Sequence, residues 1–168
     1  ANHYTRETPC DVASIPNTAG HPYQPRSMDK ADIREFRRWH RKAAIRAKQA
    51  DFDIVYVYAT HGYLLSHFLS PQTNLRTDEY GGSMENRTRL LRELIEETKE
   101  AVGDRCAVAV RYSVGGDDGE TSELTAERRD RLEMLAELPD LWDININNYY
   151  QEMGVSRFFR EGSLEEHM

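Results

Sequence analysis

The 168-residue sequence predicts a parallel α/β fold, and three observations carry that prediction. Short apolar runs rich in β-branched and aromatic residues stand at 53–58, 106–111 and 141–146. Segments with helical spacing of apolar residues stand at 27–50, 83–102 and 124–135. The connections between strands are long enough for crossovers, so parallel pairing with right-handed connections is expected.

Residues 1–26 hold four prolines and no periodicity, which reads as an extended arm or long loop. Ser27 or Asp29 is placed to cap a helix running to about Ala50. Its apolar positions Ile33, Phe36, Ala43, Ala44 and Ala47 recur at helical spacing with Trp39 beside them. Arg34, Arg37, Arg38, Arg41 and Lys42 read as its solvated face. The strand from Asp53 to Tyr58 opens into a loop over 59–82, longer than a mere connection requires, and loops of that length are usually functional. Ser83 is placed to cap the next helix and Gly103 to end it, with Met84, Leu91, Leu94, Ile95, Thr98 and Val102 on one face. The strand from Cys106 to Arg111, a Gly- and Asp-rich loop, a helix from about Leu124 to Leu135 and the strand from Leu141 to Ile146 follow.

Composition narrows the function classes. With 39% hydrophobic and 30% charged residues the chain reads as a soluble globular domain. A net charge of −7 argues against a nucleic-acid or anionic-membrane surface. No run approaches a membrane span, and the N-terminus lacks a signal-peptide pattern. Cys10 and Cys106 are too few for a metal cluster or a disulfide framework, which favours a reducing cytoplasmic setting.

The residues able to carry chemistry stand at strand ends. Tyr58 ends the first strand on the face it shares with Tyr56, opposite Val55 and Val57, where ligands bind in parallel sheets. His61 follows three residues later, and a phenol and an imidazole there can orient a substrate and move a proton near neutral pH. The alternative is a buried histidine satisfied by a backbone carbonyl. Arg111 ends the second strand, and its guanidinium needs either an anionic or carbonyl-rich ligand or a carboxylate on the next strand. In the third strand Leu141 and Asp143 share one face, Trp142 and Ile144 the other. Asp143 is a candidate to orient a histidine and Trp142 to pack on a cation; the alternative is a core tryptophan beside a helix-facing aspartate. Asp78 to Gly82, followed by Glu85, Asn86 and Arg87, reads as a structural turn tied by ion pairs; phosphate-loop patterns are absent.

HGYLLSHFLSP at 61–71 followed by NLRTDEYGGSMENR at 74–87 resembles the old yellow enzyme family of FMN-dependent oxidoreductases, which are (β/α)8 barrels. The resemblance implies a segment of about three βα units, with Tyr58 ending the fourth barrel strand and Arg111 and Asp143 ending the fifth and sixth or their near equivalents. Ene-reductases of the family place histidine at the position of Tyr58 and use the tyrosine matching Tyr63 as a proton donor. Tyrosine at 58, together with LPDLWDI at 138–144 and SRF at 156–158, is similar to the trimethylamine, dimethylamine and histamine dehydrogenase branch.

That resemblance implies catalytic roles for Tyr58, His61 and Asp143, with Asn145 as the alternative third group. It implies that Arg111 lies beside the flavin, and that Trp142, Tyr63 and Asn145 lie on the substrate side. The implied reaction is oxidation of a small amine, with a hydride equivalent passing to FMN and on to an electron-transfer acceptor, in a homo-oligomer. The chain starts without methionine at Ala1 and closes on GSLEEHM. Both ends look cut, and the resemblance implies a single partial domain, with 1–26 an arm or loop and 27–168 central barrel units. The remaining strands, a 4Fe-4S cluster and an ADP-binding domain are expected elsewhere, and this fragment is expected to be inactive alone. The rival expectations are an ene-reductase-like or N-demethylating relative and a non-catalytic, self-assembling barrel fragment.

Overall fold

The computed structural model describes residues 7–16, 24–114 and 122–145, of which 122–125 by backbone only. Ile146, SRF at 156–158 and the Gly- and Asp-rich residues 115–121 lie outside the described residues. The elements are β1 (Cys10–Asp11), β2 (Arg26–Ser27), α1 (Lys30–Gln49), β3 (Ile54–Ala59), α2 (Leu64–Leu69), α3 (Met84–Val102), a 3-10 turn (Gly103–Arg105), β4 (Ala107–Ser113), α4 (Ser122–Leu135) and β5 (Leu141–Asn145). β3, β4 and β5 form a parallel sheet in sequence order, each joined to the next through helix. This is the predicted α/β pattern. Among the described residues no helix is long and apolar enough to cross a membrane.

The helix ends follow from their capping chemistry. Asp29, not Ser27, caps α1: its carboxylate accepts from Asp32 N while Asp32 accepts from Asp29 N, a reciprocal box. Ser83 Oγ accepts from Asn86 N at the start of α3, and Gly103 closes it with φ +57. Within the arm, Cys10 and Asp11 pair in parallel with Arg26 and Ser27. One correction lies in the 59–82 loop, where six residues form α2. Leu65, Phe68 and Leu69 recur at helical spacing there and are buried.

The core lies between the sheet and the helices. Val55, Val57 and Ala59 alternate inward from β3, Val108, Val110 and Tyr112 from β4, and they meet Leu91, Leu94, Ile95 and Val102 of α3. Burying each of these valine, leucine and isoleucine side chains stabilises the fold by about 1.5–3 kcal/mol. On α1 Ile33 and Ala44 are buried, whereas Ala43 and Trp39 are exposed. The basic face of α1 is not wholly solvated: Arg37 pairs with Glu93 (2.9 Å) and Glu97, and Arg41 with Glu100 (3.1 Å), across to α3. Such partly exposed pairs contribute at most about 1 kcal/mol each, so apolar contact holds the two helices together.

A buried polar knot joins the end of α2 to α3 and α4. Arg87 and Arg131 both donate to Leu69 O, at 3.2 and 3.0 Å, and both pair with Glu127. Arg131 also reaches Thr88 Oγ1 (2.9 Å) and Tyr112 Oη (3.0 Å). The 70–82 segment is fixed by Asn74, whose amide donates to Phe68 O (2.6 Å) and Tyr80 O (2.7 Å), and by the Arg76–Asp78 pair. Gly81 is required by packing: a Cβ there would stand 2.5 Å from Arg76 Cβ and 2.6 Å from its carbonyl carbon. These contacts make 78–87 a structural latch.

Candidate functional site

The carboxyl ends of the three parallel strands bring the candidate residues together. Register aligns Tyr58 with Arg111 and Arg111 with Asp143, so strand alternation sets all three on one face. That face is open at β3, where Ile54, Tyr56 and Tyr58 are exposed while Val55, Val57 and Ala59 are buried. After Ala59 the chain turns sharply. Tyr63 N donates to Thr60 O (3.3 Å), and both central residues, His61 (φ +60) and Gly62 (φ +69), are left-handed. Glycine adopts that backbone at no cost, and histidine is among the few side chains that tolerate it. Strain held in this way concentrates at functional sites.

The turn folds His61 back onto Tyr58. Tyr58 Oη and His61 Nδ1 share a short hydrogen bond, and the rings lie 5.6 Å apart. On its other side His61 meets β5, where Asn145 Nδ2 donates to His61 Nε2 at 2.6 Å. Tyr63 completes the aromatic wall, edge-on to Tyr58 at 5.5 Å.

On β5 the structure separates the alternatives left open by the sequence. Asp143 does not meet His61; its carboxylate accepts from Arg111 Nη1 at 3.0 Å. Asn145, two residues on along the same face, is the group that reaches the imidazole. Trp142 is not brought to the site. It points to the helix side, where it packs edge-on against Tyr112 at 5.9 Å and donates from Nε1 to Ala136 O (2.9 Å). Sequence spacing separates the faces of β5 but cannot rank Asp143 against Asn145, because both face the site. Register with β4 ranks them, setting Asp143 beside Arg111 and Asn145 beside Ser113, nearer the His61 turn.

Among the described residues no group of histidine, cysteine and carboxylate side chains could hold a metal ion. The donor set is instead one guanidinium restrained by a carboxylate, a phenol–imidazole–amide chain and exposed aromatic faces. It suits an organic ligand with electron-rich carbonyls and a ring plane. A sequence model of the NADH:flavin oxidoreductase / NADH oxidase family matches residues 1–157. The chain belongs to that family.

Within this flavin oxidoreductase family the similarity has a direction. Dimethylamine dehydrogenase of Hyphomicrobium sp. (strain x) is 35% identical over 161 residues, 89% of this chain and 21% of that protein. The solved structure of 6-hydroxypseudooxynicotine amine oxidase from Pseudomonas geniculata N1 superposes with a TM-score of 0.84 at 49% identity, covering 98% of this chain and 25% of that one. The NADPH dehydrogenase of Bacillus licheniformis is 55% identical, but over 76 residues, 45% of this chain and 22% of that protein. The chain thus spans about a fifth of the length of these curated relatives.

Proposed function

We propose that this chain supplies part of the flavin and substrate surface of an FMN-dependent amine dehydrogenase. The observation that carries the reading is the Tyr58–His61 pair, a phenol at the strand end bonded to an imidazole locked in a left-handed turn. The chain-wide likeness to two enzymes whose names specify amines supports the same direction. The residues present fit one edge of FMN: Arg111 is a fixed cation on the open face, suited to the electron-rich carbonyl edge of a flavin ring. When bound, FMN supplies the acceptor for a hydride equivalent from the carbon next to the amine nitrogen.

The chain's own residues bind and orient. Tyr58 and Tyr63 offer aromatic faces to an alkylated nitrogen. Tyr58 and His61 hold the amine nitrogen and manage its proton. Asp143 keeps Arg111 in place. The electron acceptor is a separate redox partner, the setting is the cytoplasm, and the working form is a homo-oligomer. The 168-residue chain alone is not competent, because among the described residues β3 and β5 are edge strands in a sheet that such a barrel closes.

Titrating the full-length flavoprotein with secondary and tertiary amines, and separately with an enone plus NADPH, tests the reading. Amine-dependent bleaching of the flavin, lost about 100-fold or more in Tyr58→Phe, is expected. Turnover of the enone alone would favour the second reading, an NADPH-dependent ene reductase with Tyr63 as proton donor. The local identity to the Bacillus enzyme favours that reading. Flavin retention with normal dye reduction by the 168-residue polypeptide would overturn the claim that it is incomplete.

A further inference from the structure

We propose that Asn145 is a positioning residue that holds His61 as the neutral imidazole protonated on Nδ1, and so sets which partner of the Tyr58–His61 bond is the donor. The proposal rests on the reading of Tyr58 and His61 as site groups. A neutral imidazole has one donor nitrogen and one acceptor nitrogen. Asn145 Nδ2 is a donor and lies 2.6 Å from His61 Nε2, which assigns Nε2 as the acceptor and leaves the ring hydrogen on Nδ1. Nδ1 faces Tyr58 Oη. The imidazole therefore donates, and the phenol accepts and keeps its own O–H for a second partner.

A carboxylate at 145 would reverse the direction. It can only accept, so Nε2 would carry the hydrogen, Nδ1 would accept and the Tyr58 hydrogen would be spent on the imidazole. Among the described residues, the other charged and titratable groups facing this pair are Tyr63 at the start of α2, Arg111 on β4 and Asp143 on β5. Arg111 and Asp143 are bonded to each other and together carry no net charge. Alternate residues of one strand face thus divide two tasks: Asp143 restrains the cation and Asn145 fixes the tautomer.

The test is nitrogen NMR of the full-length flavoprotein carrying labelled histidine, with His61 assigned by its loss in His61→Gln. Expected for the natural protein is an unprotonated Nε2 and a protonated Nδ1. In Asn145→Asp the pattern inverts. Asn145→Ala, which removes the donor with little steric demand, relaxes the tautomer preference if Asn145→Asp does not fold. A protonated Nε2 in the natural protein, or an unchanged tautomer in either variant, overturns the proposal. If no amine is oxidised the functional reading fails, while the tautomer measurement still decides this one.

Discussion

Replacing Glu127 by Gln tests the buried cation pair that anchors the end of α2. Arg87 Nε and Arg131 Nη2 converge on one carbonyl oxygen, Leu69 O, at 3.2 and 3.0 Å. Laid end to end, those bonds set an upper limit of about 6 Å between the two nitrogens. At an effective dielectric near 20, unit charges at that separation repel by about 3 kcal/mol. The Glu127 carboxylate touches both guanidinia and offsets this repulsion. Glutamine keeps the shape and one carbonyl oxygen but removes the charge. Glu127 is 24% exposed, and water softens the change, so the expected loss is about 2–4 kcal/mol. Equilibrium urea unfolding of the full-length protein reads it as a midpoint lowered by about 1–2 M. Arg131→Met in the Glu127→Gln background removes one of the two facing cations and should recover part of the loss. A loss below about 1 kcal/mol for Glu127→Gln, or strict additivity of the two changes, would refute the reasoning.

Gly81→Ala forces a main-chain shift against Arg76 and should cost about 3 kcal/mol, at the upper end for overpacking, read as a lowered thermal midpoint; an unchanged midpoint would show that the latch yields. Burial holds the His40 imidazole below the ordinary histidine value, so its contribution is complete above pH ~6.5 and is lost as pH falls through that value towards the folded one. His40→Gln should flatten the stability curve between about pH 7 and pH 5, and an unaltered slope would remove His40 as its source. Asp143→Asn removes the carboxylate to which Arg111 donates and should weaken flavin retention about tenfold in an equilibrium titration, whereas an unchanged affinity would mean that Arg111 does not need this restraint.

The fold was legible where one signal acted alone. Asp29 and Ser83 announce helices through capping chemistry, and the strand alternation at 54–58 marks which side is core. α2 was hidden inside a long loop because six residues are too few for periodicity to stand out, although Leu65, Phe68 and Leu69 carry it. The pairing of Arg37 and Arg41 was unreadable for another reason: their partners lie about sixty positions along the chain on α3. At the site, the Tyr58–His61 pair was readable because it is local, only three residues apart. The assignments of Asp143, Asn145 and Trp142 depended on register across strands and on which side of β5 the helices cover. Neither property is written in local spacing.

The left-handed backbone at residue 61 also acts as an evolutionary filter. Only glycine, asparagine, aspartate and histidine occupy that conformation readily, and β-branched or bulky aliphatic residues are excluded by contact with their own carbonyl. Of these, every residue with a side chain can hydrogen-bond to the phenol at 58. Sterics therefore confine this position to glycine, which would break the pair, and to short polar side chains that leave Tyr58 a polar partner.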